Sequence, residues 1–312
     1  MTRLNVNILL FDAFSNMVLA CLLEPLRVVR DQSGHDIHWT IMTDGDRTLK
    51  SSSGISVTPD GPQAAAPTGD LVVIIGGDVF RDSGRTGDLR RALHPMIQND
   101  TTIIAADTGA WMLAKSGYLD GRRATLHWQL LDEFAETFPK VDVVPERFAR
   151  DGNFWTCGTA AAALDLMLDY IRARFGAADA FDAGAMFAHD NARRYGASYP
   201  DQALSFAASP KLKSVILRMS ERLENPCQMP ELAKAAHISQ RSLHRLFQAE
   251  LHLTPGRYYL LLRLARAREL LRYGNLSLTE IAIRCGFCGA TTLTRSFRAQ
   301  YGMSPRTLLQ DR

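Results

Sequence analysis

The stretch from Gln228 to Pro305 is one unit written twice. Arg245, Phe247, Thr254 and Pro255 are answered fifty residues later by Arg295, Phe297, Ser304 and Pro305, and Leu243 by Leu293. Upstream, Leu232-Ala233 is answered by Ile281-Ala282 at a spacing of forty-nine, so one copy carries one more residue in its turn. An internal repeat fixes the architecture before any local assignment, and two copies are too few for a solenoid.

Each copy has the grammar of a helix, a tight turn and a second helix. In the first, Pro230 suits an opening helical turn, where its missing N–H is not needed. Glu231 to Ala236 forms that helix, His237-Ile238 the turn, and Ser239 caps the next helix, which runs to about Glu250. That helix buries Leu243, Leu246 and Phe247 and leaves Gln240, Arg241, His244 and Arg245 outside near its start. In the second copy Ser277 and Glu280 form a capping box, the turn falls at Gly286-Phe287, and the outward helix exposes Ala290, Thr291, Thr294 and Arg295. Pro255 to Arg272 reads as one long helix joining the copies, and Lys211 to Leu223 as a helix preceding them.

From about Ser209 to Leu308 these residues resemble the AraC/XylS family of transcription activators. Leu232-Ala233, Arg245, Phe247, the Pro255 turn, Ile281-Ala282, Gly286-Phe287, Phe297-Arg298, Gly302 and Pro305 all fall where that family has them. The resemblance implies an all-α tandem helix-turn-helix domain that binds a double-stranded DNA operator and works with RNA polymerase. It also implies that Gln240, Arg241, His244 and Arg245 in one motif, and Ala290, Thr291, Thr294 and Arg295 in the other, meet bases or flanking phosphates. The two recognition helices would enter successive major-groove segments roughly 34 Å apart.

Charge supports DNA independently. From Phe206 onward there are 17 Lys and Arg against 7 Asp and Glu, net +10, while the preceding residues hold 19 against 26, net −7. A basic tail beside an acidic body suggests that only the tail meets phosphate. Arg263, Arg266, Arg268 and Arg272 crowd the joining helix, where a solvated face is the simplest role for each. At 312 residues, two domains are expected. No run approaches the roughly twenty apolar residues of a membrane span, and the first residues lead into a strand rather than a signal peptide. Of the five cysteines, Cys285 and Cys288 are spaced C-x-x-C without a second pair, so packing is expected rather than zinc, and a reducing cytoplasm fits. No metal or cofactor is expected.

The N-terminal part alternates strands and helices. Val6–Phe11, Ile37–Thr43, Leu71–Ile75, Thr102–Ala106 and Phe154–Cys157 read as strands, with helices at Ser15–Arg30, Ala110–Lys115 and Thr159–Phe175. This order predicts an α/β domain, a doubly wound and mostly parallel sheet, over residues 1–200, followed by a linker at 201–210 and the helical domain at 211–312. Ligands of such sheets sit beyond the carboxyl ends of the strands, where Gly76-Gly77, Asp107-Thr108 and Cys157-Gly158 fall.

Over about Asn5 to Tyr195 this order also resembles the class I glutamine amidotransferase-like domain in its PfpI-type form. The run that carries it is Asp107-Thr108-Gly109-Ala110, followed by Leu119-Asp120-Gly121-Arg122-Arg123-Ala124-Thr125-Leu126-His127-Trp128. The resemblance places Glu24 as a carboxylate under the nucleophile, Gly77 as a backbone N–H facing an oxyanion and His127 as the family histidine. Enzymes of the family carry Cys at the strand-to-helix turn, whereas this chain carries Asp107, which cannot supply a thiolate. Cys157 lies on another strand end and reads as a small buried hydrophobe. The domain is therefore expected to be a non-enzymatic sensor and a dimerisation unit. The alternative is an active amidotransferase- or hydrolase-like enzyme with a DNA tether.

The expected ligand site comprises Phe14, Glu24, Gly77, Asp107, Thr108, His127 and Trp128, with Trp111 a further rim candidate. Carboxylates beside aromatic faces suit a cation. The resemblance points to regulators that respond to arginine, glycine betaine, carnitine and related nitrogen compounds. Simpler roles stay open: Glu24 and Asp107 sharing a proton to close the turn, Trp111 in the core, His127 as a satisfied buried histidine. Asp12, Asp78 and His189 carry no interpretable signal.

Overall fold

The computed structural model describes residues 3–43, 47–61, 69–78, 101–194, 209–273 and 276–310, with Phe80, Arg90, Leu93 and His94. Most of the expected linker, 201–208, lies outside them. Contacts divide the chain into two compact units, Met1–Tyr170 and Ile171–Arg312.

The first unit is built on a six-stranded sheet. Its strands are β1 (Arg3–Leu10), β2 (Asp36–Thr43), β5 (Leu71–Ile75), β6 (Thr102–Ala106), β9 (Phe148–Asp151) and β10 (Phe154–Cys157), in the order β2-β1-β5-β6-β10-β9. All neighbours are parallel except β9, which pairs antiparallel with β10. Short pairs β3 (Leu49–Lys50) with β4 (Ser56–Val57), and β7 (Arg123–Ala124) with β8 (Asp142–Val143), lie beside it. The central strands are continuous apolar runs because helices cover both faces: all five residues of β5 are buried. The helices are α1 (Asn16–Ser33), α2 (Gly109–Lys115), α3 (Leu131–Thr137) and α4 (Ala160–Arg174). Ser15 caps α1, accepting from the Val18 N–H at 3.3 Å. Trp111 is core rather than rim: it packs edge-on against Phe80 at 4.9 Å and Phe138 at 5.2 Å between ring centroids.

The second unit contains α5 (Ala177–Arg194), α6 (Pro210–Glu221), α7 (Met229–Ala235), α8 (Gln240–Leu251), α9 (Pro255–Tyr273), α10 (Leu278–Arg284), α11 (Ala290–Tyr301) and α12 (Pro305–Gln310). The repeat is real in three dimensions. α7 and α8 flank a four-residue turn and α10 and α11 a five-residue turn, the extra residue counted in the sequence. Both turns need a left-handed residue: His237 at φ 53° in the first and Gly286 at φ 69° in the second, where a Cβ would stand 2.4 Å from the Leu223 carbonyl oxygen. The Ser277–Glu280 capping box forms as expected, with Glu280 accepting from the Ser277 N–H at 2.8 Å. Each copy encloses its own apolar cluster, one around Leu243, Phe247 and Tyr258, the other around Leu264, Leu293 and Phe297.

Two findings in this unit depart from the sequence reading. The helix α5 groups with the helical unit, and Phe181 sits in the first motif's cluster. Arg263, Arg266 and Arg268 of α9 do not form a solvated face. Arg263 donates to the Cys285 and Gly286 carbonyls at 2.8 and 2.6 Å and lies over the Phe287 ring, fastening the second turn. Arg266 pairs with Glu269 at 2.7 Å, and Arg268 is buried. Cys285, buried in that turn, has its thiol pushed up to about 12 by burial, which suits packing.

Candidate functional site

The parallel register Ile75↔Ala106 sets the ends of β5 and β6 side by side, so Gly76-Gly77-Asp78 runs next to Asp107-Thr108. The two crossings approach very closely. A Cβ on Gly77 would stand 1.9 Å from the Asp12 carbonyl oxygen, and one on Gly158 2.1 Å from that of Leu126. The Thr108 hydroxyl donates to the Gly77 carbonyl at 2.9 Å and locks the two ends together. Asp107 is forced to φ 58°, a left-handed conformation that Asp tolerates better than most side chains. The strand-to-helix turn therefore presents the residue 107 side chain outward.

It faces a cavity of about 510 Å³ whose walls include Ser15, Asp78, Asp107, Thr108, His127 and Gln129, with Thr159 and Ala160 at the start of α4. Met17, Phe80 and Leu130 supply its apolar surface. Burial, the largest influence, raises the Asp107 carboxyl above its ordinary range; His127 opposes that, and Asp78 adds to it. None of these described wall residues is Lys or Arg. The Cys157 thiol is fully buried and is raised by that burial and by nearby Asp107, so it is held protonated.

The structure sets Asp107, Thr108 and His127 on one cavity wall with Gly77 hydrogen-bonded to Thr108 beside it, whereas Glu24, Phe14 and Trp128 are not among the wall residues. Glu24 is not on the cavity wall: Arg27, one turn further along α1, holds its carboxylate at 2.7 Å and both face solvent. The carboxylate near Asp107 is Asp78, which carried no signal in the sequence because only the pairing of β5 with β6 reveals it. Phe14 is fully buried, in an isolated bridge with Gly77, and is not on the cavity wall. Trp128 is 67% exposed, its ring 5.9 Å from that of His127, outside the wall. Ser15, Gln129 and Thr159 are polar wall residues of types too common to single out in a sequence.

In the helical unit, α8 exposes Gln240, Arg241, His244 and Arg245 while burying Leu243 and Phe247. In α11, Thr291 and Arg295 are exposed, Ala290 and Thr294 half-buried, and Leu293 and Phe297 buried. Each motif thus offers one polar helix face, as a DNA-reading helix requires.

Comparison with known proteins agrees with both units. Residues 5–173 match the DJ-1/PfpI family, and residues 232–311 match a helix-turn-helix domain. The HTH-type transcriptional regulator GbdR of Pseudomonas aeruginosa is 33% identical over 305 residues, covering 97% of this chain and 83% of GbdR. The HTH-type transcriptional regulator CdhR of the same organism is 36% identical over 310 residues, covering 95% and 89%. A crystal structure of an AraC family transcriptional regulator from Pseudomonas putida shares the fold (TM-score 0.52, 23% identity) over 58% of this chain and 97% of that one. Together these define a DNA-binding transcription regulator whose N-terminal half is a DJ-1/PfpI domain.

The chain belongs to the DJ-1/PfpI family and, through its C-terminal tandem motif, to the AraC-type regulators. Like these relatives it is a regulator rather than an enzyme, and its partner is DNA. No helix among the described residues is long and apolar enough to cross a membrane.

Proposed function

We propose that this chain is a ligand-responsive, sequence-specific regulator, an activator in its default sense, whose cavity at Asp107 senses a small cationic nitrogen metabolite. Met1–Tyr170 form the sensing and dimerising domain, and Ile171–Arg312, helix α5 included, the DNA-binding unit of a cytoplasmic homodimer that works with RNA polymerase. One observation carries the reading: two carboxylates, Asp78 and Asp107, border one cavity in which the described walls supply no Lys or Arg. The nearby Asp78 adds to the cost of ionising the partly buried Asp107, and a bound cation would offset it. Arginine, glycine betaine and carnitine each pair a cationic nitrogen with a carboxylate, for which His127, Ser15 and Gln129 offer donors on the same walls. With Asp instead of Cys at position 107, acyl transfer through a thiolate is not available there. On the DNA side, Arg241, Arg245, Arg295 and Arg298 are exposed cations of the two reading helices, the first three among the expected contact residues.

The test is a melting experiment on the full chain with arginine, glycine betaine and carnitine, each at millimolar concentration. At least one is expected to raise the melting temperature of the wild type and to lose most of that effect in Asp107→Asn. No shift with any of the three, or equal shifts in both proteins, contradicts the cavity assignment.

A further inference from the structure

The helix α5 carries two adjacent residues that are both buried and that reach different motifs. Phe181 enters the first motif's cluster and meets Tyr258 edge-on, ring centroids 5.3 Å apart at 90°. Tyr258 in turn packs against Phe247 of α8 at 5.4 Å. Asp182, only 2% exposed, lies 3.5 Å from Arg268 of α9. Arg268 lies over the ring of Tyr301, its guanidinium carbon 4.5 Å from the centroid. Tyr301 is the last residue of α11 and packs on Phe297, an inward residue of that reading helix, at 4.5 Å. The neighbouring Ala180 and Ala183 are buried too, and such small side chains let α5 lie close.

A fully apolar contact would hold α5 more cheaply, because a buried ion pair seldom recovers its desolvation cost. What a buried pair supplies is a fixed geometry: Arg268 opposite Asp182 eases its charge, with Tyr301 and Arg257 adding to that, and the same Arg268 is stacked over Tyr301. The two motifs have separate apolar clusters strung along α9. Their mutual orientation, and so the spacing at which α8 and α11 meet a duplex, depends on what braces that helix.

We propose that α5 is a brace for DNA recognition, and that Asp182 is a positioning residue which sets α11 relative to α8 through Arg268 and Tyr301, while Phe181 fixes the α8 side. Asp182 touches no DNA in this account. The proposal rests on the tandem reading-helix assignment and adds to it an element outside the repeat.

The experiment uses the full chain and a random-sequence 40-base-pair duplex library. Wild type, Asp182→Asn and the double variant Asp182→Asn/Arg268→Met each select their preferred sequences, and affinities are then measured on the wild-type winner and on unselected duplex. For Asp182→Asn the specific-to-non-specific affinity ratio is expected to fall at least fivefold. Its selected sequences should also lose a fixed spacing between half-sites, with non-specific affinity unchanged. The double variant, which removes the buried charge left behind, should fold even if the single one does not, and should show the same loss of spacing. If either folded variant keeps the wild-type ratio and spacing, Asp182 is only structural and the proposal fails. If the wild type selects no sequence, the reading-helix assignment fails instead, before the brace is in question.

Discussion

Asp107 and Asp182 are both carboxylates raised above their ordinary range by burial, but their surroundings differ. Asp182 is wholly buried, and the chain supplies the answering charge from Arg268. Asp107 is partly buried at a cavity, near another carboxylate and a histidine. The helical unit closes its charge account internally, as a part that must hold one shape does. The α/β unit keeps negative charge at an accessible wall, as a part that must receive something does. That division also follows the net charges, +10 in the tail and −7 before it.

The largest expected effect separates the two units by salt. Affinity of the full chain for duplex should drop by about a thousandfold or more between 50 and 200 mM salt, because several arginines displace condensed counterions. Binding of the proposed small cation at the cavity should change far less. A flat salt dependence for DNA would remove the contrast.

Next is Arg268→Met, which leaves Asp182 buried without its partner. Breaking one side of such a pair costs about 3–5 kcal/mol. All four tryptophans, at 39, 111, 128 and 155, lie in the first unit. A helical loss seen by circular dichroism, without a matching change in tryptophan emission, would place the damage in the second unit. Coincident loss in both signals would show that the units melt together.

Asp107→Asn should act in the opposite sense on stability. It removes a carboxylate whose ionisation burial already disfavours, so the α/β unit should melt at the same temperature or higher. Ligand affinity should fall about tenfold or more, as for a lost charged hydrogen bond of roughly 1.5–3 kcal/mol.

Smallest is the pH effect. The Asp182 pKa is raised from 3.8 to about 6 by burial, with Arg268 opposing. A carboxyl raised in the folded state contributes stability that is complete below about pH 3.8 and is lost as pH rises through about 6. Acidification from pH 7 to 5 should therefore favour the wild-type helical unit over Asp182→Asn by on the order of 1 kcal/mol. Equal pH profiles in the two proteins would mean that Asp182 is not buried in solution.

Much of this was legible in the sequence, for physical reasons. A strand covered on both faces must be a continuous apolar run, so β5 and β6 announced themselves. The tandem motif was read from its repeat, even to the extra residue before α11. The helix α5 was not separated: Asp179, Asp182 and Gly184 interrupt its apolar pattern, and a buried aspartate looks like a surface one until Arg268 is placed opposite. In the cavity, Asp107 stood out because it follows a buried strand and stands where the resembled family carries Cys. Asp78 did not, since its meaning comes from a neighbouring strand thirty residues away. Glu24 misled because it was carried over from the family resemblance alone, and here Arg27 one turn on captures the carboxylate.

The central claim is that occupancy of the Asp107 cavity controls DNA binding. It is tested most directly by the affinity of the full chain for its selected duplex, with and without whichever of arginine, glycine betaine or carnitine raises its melting temperature. The account predicts a change of at least fivefold in the wild type, the size of an ordinary coupling between two sites, and little or none in Asp107→Asn, whose ligand-free DNA affinity stays that of the wild type. An unchanged DNA affinity in the ligand-bound wild type, or the same change in both proteins, would contradict it.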